Sequence, residues 1–263
     1  IRKGIFPLHA WMPFFFQTAR PAVAVLLALP QVGTYCAARL LAPLAPAAMM
    51  NVIGTVSLIT AVYSAALALV QKDARRMFGF LFMSQSAIVL AGLQCDNIRG
   101  LTGGLTLWIS SILSMAGFGI TLRALEARRG ELSLAHFHGG YERMQVLAVC
   151  FLIFGLASVG IPGTLGFVGE ELLVEGAVET FPIFGMLVGV AAALNGITVL
   201  KAYGVLFCGA PAGPRPEQMR LREWATALGL VAILLVGGIR PGPLMRAEQS
   251  AAQALLSKQK NER

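Results

Sequence analysis

The stretch Val146–Val178 reads VLAVCFLIFGLASVGIPGTLGFVGEELLVEGAV and decides the class of fold. Its first part, Val146–Val159, is apolar and uncharged, and the second part carries two adjacent acids, Glu170 and Glu171. Proline removes a backbone donor and clashes with the preceding turn, and glycine costs a helix about 1 kcal/mol. The pattern therefore predicts one helix that is broken by Gly160, Pro162 and Gly163.

In a membrane protein, a helix break of this kind points to a functional site. In lipid, freed backbone groups are tolerated where protein or a wet cavity satisfies them, and broken helices often build ion sites near the bilayer midplane. We therefore predict that Glu170 belongs to an ion or proton path. The alternative is that Glu170 only ends the span among the lipid headgroups. Glu171, Glu175 and Glu179 follow at helical spacing, and we expect them to form a solvated face.

The composition indicates a membrane protein. The chain has 263 residues, of which 56% are hydrophobic and 13% charged, and its mean hydropathy is +0.71. Soluble proteins have about 25% charged residues. The sequence therefore predicts an all-α, multi-spanning membrane helix bundle with discontinuous helices, in contact with the lipid bilayer. The net charge of +8 comes from basic residues between apolar blocks, which fits headgroup contact and not nucleic-acid binding.

Apolar blocks of about 20 residues can each cross the bilayer. We predict about seven crossings after an N-terminal remnant, which gives a membrane domain at 1–240 and a polar tail at 241–263. The basic segments 71–76 and 123–145 lie two spans apart, so they share one side, which we expect to be cytoplasmic. One interrupted crossing at 146–178 also brings the basic loop with Arg215, Arg220 and Arg222 to that side. The predicted crossings are Pro21–Leu41, Asn51–Val70, Met77–Leu93, Leu101–Leu122, Val146–Val178, Phe181–Phe207 and Trp224–Ile239.

Other polar residues have simpler interpretations beside functional ones. His9 can titrate near physiological pH and lies in a segment broken by prolines, although a lone membrane histidine is more often packed or interfacial. Lys201 in an apolar helix is best explained by snorkelling to the headgroups. His136 and His138 have no third ligand nearby, and the four cysteines form no CxxC pair. We therefore expect no metal site and no cofactor in this chain.

Three motifs resemble one known family. FPLHAWMP at 6–13, QKDARRMFGFLFMSQSA at 71–87 and GLASVGIPGTLGFVGEELL at 155–173 are similar to the antiporter-like, proton-translocating membrane subunits of complex I, closest to the subunit M (chain 4) type. Mrp-type cation/proton antiporters and energy-converting hydrogenases share this domain. The resemblance covers the second half of the family's fold. Because the chain opens Ile1-Arg2-Lys3-Gly4 without an initiator Met, we expect a fragment.

The resemblance implies roles for particular residues. The family's acid after the helix break corresponds to Glu170, and its buried lysine before the FPLH motif falls on Arg2, with Lys3 next to it. Arginine keeps its charge but does not readily release a proton. The positions of the further relay groups are occupied by Gln31, Gln85, Ser111 and Met115. The proton-path candidates are therefore Glu170, Arg2, Lys3 and His9.

This resemblance implies a proton-translocating membrane subunit of a complex I-like NADH:quinone oxidoreductase in a bacterial inner membrane. The partners are other membrane subunits and protons or monovalent cations. Flavin, iron–sulfur clusters and quinone would then belong to the partner subunits, so this chain would be part of a translocase without its own redox centre. The altered relay positions keep three alternatives open: a cation/proton antiporter, an inorganic-carbon-uptake subunit, and a structural subunit of a membrane arm.

Overall fold

The computed structural model describes residues 3–28, 31–41, 44–179, 182–210 and 220–262. These residues form helices and loops, without a strand longer than one isolated bridge between Asp73 and Ser133. The helices are α1 Trp11–Thr18, α2 Pro21–Ala28, α3 Val32–Cys36 (continued by a π-helical turn, Ala37–Leu41), α4 Ala47–Leu69, α5 Ala74–Gly92, α6 Ile98–Arg129, α7 Gln145–Ser158, α8 Leu165–Val178, α9 Pro182–Phe207, α10 Leu221–Ile239 and α11 Gly242–Glu262.

One end of the bundle gathers the basic connections. The α4–α5 loop, the segment between α6 and α7, and the end of α9 are joined by backbone hydrogen bonds. These run from the N–H of Ala74 to the carbonyl of Leu132 (3.1 Å), from Leu134 to Lys72 (2.7 Å) and from His138 to Val205 (2.8 Å). The basic segments 71–76 and 123–145, which we predicted to share one side, therefore lie together, and we call this the basic end. Arg215 of the third predicted basic loop lies outside the described residues.

The opposite end holds the start of α6 and the end of α8. Asn97 caps α6, because its side-chain oxygen accepts the N–H of Gly100 (2.7 Å). The amide of the same Asn97 donates to the carbonyl of Gly176 near the end of α8 (2.6 Å). Since α7 starts at the basic end, α7 and α8 together run through the bundle once. They form the single interrupted crossing that the loop charges predicted.

Four helices of the described residues are long and apolar enough to cross a membrane. They are Ala48–Leu69 within α4, and α6, α9 and α10. Helix α5 and the pair α7 and α8, which correspond to two further predicted crossings, are not among these four. The total of about seven crossings stays a prediction.

Phenylalanine rings pack the helices together near the basic end. Phe118 of α6 lies between Phe78 of α5 (ring centroids 5.6 Å apart) and Phe151 of α7 (4.4 Å). Phe151 in turn contacts Phe207 of α9 at 5.3 Å. These four rings are almost fully buried, so one continuous aromatic core fixes α5, α6, α7 and α9 relative to each other.

Glycines bring α6 and α8 into backbone contact. A Cβ atom added at Gly103 of α6 would lie 2.4 Å from the backbone nitrogen of Leu173, and one at Gly169 of α8 would lie 2.8 Å from the nitrogen of Leu107. In lipid there is little hydrophobic drive between helices, so close packing through small residues supplies the association. The α6–α8 contact therefore depends on glycine at these positions.

We expect Gly103→Ala to lower the free energy of unfolding by about 1–3 kcal/mol, the usual cost of overpacking a core. The matched control is Gly189→Ala in α9, because a Cβ atom there meets nothing within 4 Å. Thermal unfolding of the purified protein in detergent measures both changes. Equal melting temperatures for the two variants would contradict the packing argument.

Residues 241–263, predicted as a polar tail, form an ordered helix over the described part, which ends at 262. Helix α11 packs on the first half of α6 and buries Glu248 and Ala252. Ala252 belongs to an apolar cluster with Leu101 and Leu105 of α6. The predicted boundary at 240 falls between α10 and α11, but α11 is docked on the bundle.

Candidate functional site

The break between α7 and α8 is built by glycine. Gly160 has φ = 81°, a left-handed conformation that glycine adopts without strain. The N–H of Gly160 donates to the carbonyl of Ala157 (3.4 Å), and the N–H of Ile161 donates to the carbonyl of Leu156 (3.1 Å). This is the Schellman pattern that ends helices. Helix α7 therefore stops inside the crossing because of its own sequence.

The second half of the break starts α8 without a side-chain cap. Gly163 has φ = 91°, and Thr164 is the N-cap residue. The Thr164 hydroxyl donates backwards to the carbonyl of Ile161 (2.7 Å) and not to α8. The first N–H groups of α8 therefore have no side-chain cap, and the partial positive end of the helix lies at the break.

Glu170 turns back over this break. It is the sixth residue of α8, which continues for eight more residues, so it does not lie at the end of the helix. A Cβ atom added at Gly160 would lie only 2.2 Å from Glu170 Oε2, which shows that the carboxylate occupies the space above Gly160. Glu170 is half-buried, and no ion pair among the described residues includes it.

The other acids of α8 behave as a solvated face. Glu171, Glu175 and Glu179 are exposed. Arg99 at the start of α6 pairs with Glu175 (3.0 Å) and with Glu179 (3.5 Å). Glu170 differs from these three acids in being half-buried, and its role in a proton path stays a prediction.

Lys3 anchors a second buried polar group. It is 7% exposed, and its Nζ donates to Gln31 Oε1 (2.9 Å) and to the hydroxyl of Thr34. The amide of Gln31 then donates to Ser111 Oγ on α6 (2.8 Å). A row of directed hydrogen bonds therefore leads from Lys3 through Gln31 to α6.

The resemblance had placed the family's buried lysine on Arg2, which lies outside the described residues. The structure puts Lys3 in contact with Gln31, the residue at the next relay position. None of the ion pairs that the described residues form includes Lys3. A buried ammonium without a carboxylate partner is costly, and such groups inside membranes are usually functional. Lys3 is therefore the cationic candidate among the described residues, and the prediction for Arg2 stays open.

His9 lies apart from this network. Its ring packs edge-on against Tyr63 (5.2 Å) and near Phe6 (5.6 Å), and its Nδ1 is 3.2 Å from the carbonyl of Pro7. It lines a pocket of about 370 Å³ that also contains Tyr63 and Arg76. The structure gives His9 a packing role at the edge of the bundle and no contact with Lys3 or Glu170.

The remaining relay positions are buried in the core. Gln85 of α5 is 4% exposed and Met115 of α6 is 1% exposed. Several other buried polar atoms of the bundle have no hydrogen-bond partner among the described residues, whereas buried polar groups in proteins are normally hydrogen-bonded to protein or water. These atoms include Ser86 Oγ, Trp108 Nε1, Ser110 Oγ, Asn195 Oδ1 and Glu248 Oε1.

The polar face of α6 was not predicted from the sequence. Thr102, Thr106, Ser110 and Ser114 recur every four residues and are all almost fully buried. Glu248, which bonds to Thr106, was not predicted either. The four-residue spacing is visible in the sequence, but Glu248 sits among alanines in a polar segment, and nothing there signals its burial.

The loop histidine His138 makes a local contact. A ring nitrogen of His138 lies 2.7 Å from the carbonyl of Ser133, which is a bond within the loop. No cluster of three metal-binding side chains occurs within the part of the chain that the structure describes.

Comparison with known proteins decides the family. The transmembrane family described as NADH:quinone oxidoreductase/Mrp antiporter matches residues 1–195, which include Lys3, Gln31, Ser111 and Glu170. The chain belongs to this family. NADH-quinone oxidoreductase subunit 13 of Thermus thermophilus is 30% identical over 97% of the chain and 55% of its own length. Subunit M of Mycobacterium tuberculosis is 27% identical over 93% of the chain and 46% of its own length.

Solved structures of this family agree with the fold. A chain of respiratory complex I from Thermus thermophilus superimposes with a TM-score of 0.90 at 28% identity, over 98% of this chain and 56% of that chain. A chain of the Mrp complex from Dietzia superimposes with a TM-score of 0.91 at 20% identity, over 99% of this chain and 58% of that chain, and this likeness shows the fold alone. This family member is an integral membrane protein, and it spans about half the length of the curated relatives it matches.

Proposed function

We propose that this chain is part of a proton-translocating membrane subunit of a complex I-like NADH:quinone oxidoreductase. The observation that carries the proposal is the Glu170 carboxylate above Gly160, at an uncapped helix break inside a crossing. A carboxylate at such a break can bind a proton from one side and release it to the other, because unwound backbone there is compatible with water.

The Lys3 network supplies the second charged position. Lys3 reaches α6 through Gln31 and Ser111, and Ser110 beside Ser111 faces the break, since a Cβ atom at Gly166 would lie 3.1 Å from Ser110 Oγ. An amide and a hydroxyl do not hold a proton at neutral pH, so transfer between Lys3 and Glu170 requires bridging water. The unpaired polar atoms in the core are suitable partners for that water.

The proposed assembly follows from the relatives. Other membrane subunits pack around this chain, and partner subunits carry the flavin, iron–sulfur clusters and quinone, so that the chain itself holds no redox cofactor. Protons are the transported ions, and the membrane is the bacterial inner membrane. The 30% identity to a complex I subunit supports this assignment over a free-standing antiporter or a carbon-uptake subunit. A purely structural subunit would not need an unpaired, buried Lys3.

Inverted membrane vesicles test the function. Vesicles are prepared from cells that carry the complete gene and from cells that lack it, and acidification of the lumen is followed with a pH-sensitive dye. We expect NADH-driven acidification to fall in the vesicles that lack the protein. The complementing gene should restore it.

The same vesicles separate the alternatives. Sodium or potassium pulses without NADH measure cation/proton exchange. Loss of this exchange together with unchanged NADH-driven acidification would overturn the proposal in favour of an antiporter. Unchanged behaviour in both assays would leave only a structural subunit.

A further inference from the structure

Helix α11 delivers a buried carboxylate to α6. Glu248 is 5% exposed, and its Oε2 accepts a hydrogen bond from the Thr106 hydroxyl. Its Oε1 is buried without a partner among the described residues. The exposed residues beside it, Arg246 and Gln249, show that α11 itself lies on the surface of the bundle. Glu248 therefore joins the protein surface to the polar face of α6.

The Thr106 hydroxyl can serve only one acceptor at a time. It has a single hydrogen, and two acceptors lie within reach: the carbonyl of Thr102 (2.9 Å) and Glu248 Oε2. When Glu248 is ionised, Thr106 donates to it. When Glu248 is protonated, its O–H can donate to Thr106, which then donates to Thr102. Both protonation states of Glu248 are therefore hydrogen-bonded without any movement of the helices.

The hydroxyls of α6 extend from this contact to the helix break. Ser110 follows Thr106 after four residues, about 6 Å along the helix, and its hydroxyl has no partner among the described residues. Ser110 faces Gly166, one turn before Glu170 on α8. Glu248 and Glu170 therefore lie at the two ends of one polar face, with Thr106 and Ser110 between them.

No ion pair among the described residues includes Glu248. Its hydrogen-bond partner is the uncharged hydroxyl of Thr106. Ala252, one turn later on α11, belongs to an apolar cluster with Leu101 and Leu105 of α6, and Trp108 packs against this cluster. Leu244 and Met245 precede Glu248 by about one turn on α11. Burial raises the pKa of Glu248 to about 7, and the hydrogen bond with Thr106 partly opposes this shift.

We propose that Glu248 is a second proton-carrying carboxylate of this subunit, at the end of the path opposite the basic end. It exchanges protons between the surface and the Thr106–Ser110 face of α6. This inference rests on the proposed proton-translocating function. In each exchange the O–H bond of the Glu248 carboxyl group breaks, and the proton passes to a water molecule to give hydronium. The remaining carboxylate then accepts a hydrogen bond from the Thr106 hydroxyl. Protonation of the carboxylate by hydronium reverses the step.

The test compares three variants of the complete protein in its native assembly. They are Glu248→Gln, which keeps shape and hydrogen bonding but cannot release a proton, Glu170→Gln, and Ser250→Ala as an exposed control on α11. NADH-driven acidification of inverted vesicles is measured at equal levels of assembled protein. We expect a decrease of about tenfold in Glu248→Gln, equivalent to a barrier increase of about 1.4 kcal/mol, and no change in Ser250→Ala.

Infrared difference spectra of the purified assembly give a readout besides flux. Raising the pH through 7 should remove a carbonyl band of protonated carboxyl groups. The intensity that this band loses as the pH rises should be smaller in Glu248→Gln than in the native protein, and it should be unchanged in Ser250→Ala. This inference alone would be overturned if Glu248→Gln kept the native spectrum and the native proton flux while Glu170→Gln lost its proton flux. Unchanged flux in both Gln variants would overturn the proposed function as well.

The raised pKa also gives the docking of α11 a pH dependence. The folded state holds the Glu248 proton up to about pH 7, whereas an undocked carboxyl loses it near 4.5. Docking is therefore most stable below about pH 4.5, weakens as the pH rises from 4.5 to 7, and changes little above 7. Hydrogen exchange of α11 amides, corrected for the intrinsic rate, should accelerate between pH 4.5 and 7 in the native protein and much less in Glu248→Gln. The same pH response in both proteins would contradict this assignment.

Discussion

Glu170→Gln is expected to reduce NADH-driven proton translocation by about tenfold or more, since a barrier increase of only about 1.4 kcal/mol is enough for a tenfold loss. Glutamine fills the same space above Gly160 and can accept the same hydrogen bonds, but it cannot bind and release a proton at neutral pH. The measurement is lumen acidification of inverted vesicles at equal levels of the assembled protein. Electron transfer to quinone, measured with an uncoupler present, shows whether the rest of the assembly still works.

The neighbouring acid provides the matched control. Glu171→Gln removes an equal charge one residue further along α8, but Glu171 is exposed. Its flux should stay within about twofold of the native value, since surface substitutions away from special features change little. Equal losses in the two variants would show that the charge of α8 matters and not the carboxylate at the break.

Lys3→Met is expected to have the second large effect, again a loss of about tenfold or more. Methionine is of similar length and apolar, so it removes the donor to Gln31 and Thr34 without opening a large cavity. Lys72→Met in the α4–α5 loop is the control, since Lys72 is exposed and its charge is equal. Vesicle acidification compares the two variants. Native flux in Lys3→Met would remove Lys3 from the path.

Lys3→Arg separates the charge of Lys3 from its proton. Arginine keeps the positive charge but does not readily deprotonate. If Lys3 transfers protons, this variant should lose as much flux as Lys3→Met, although binding to Gln31 through a cation is retained. Recovery of native flux in Lys3→Arg would assign Lys3 a purely electrostatic role.

Local chemistry explains which features could be predicted from the sequence. The break at 159–164 follows from Gly160, Pro162 and Gly163, because glycine and proline act on the backbone of their own segment whatever surrounds them. The single interrupted crossing follows from the charges of the loops. The solvated face of Glu171, Glu175 and Glu179 follows from helical spacing, and the structure shows all three exposed.

Features that depend on partners distant in sequence could not be predicted in this way. Whether Glu170 points to the break or to the headgroups depends on where α8 ends and on the space above Gly160. Arg2 and Lys3 are adjacent cations in the sequence, and the contact of Lys3 with Gln31, 28 residues away, is visible only in the structure. The burial of Glu248 results from the docking of α11 on α6, a contact between residues 142 positions apart. No local pattern contains that information.

The glycine contacts between α6 and α8 limit how force can pass through this protein. Where two backbones touch at Gly103 and Gly169, neither helix can slide or tilt without a collision or an empty gap, and both are costly in a densely packed interior. Helices α6 and α8 therefore form one rigid unit. In the proposed function, coupling through this pair therefore relies on shifting charge, rotating side chains and reorganising water, with these two helices held still.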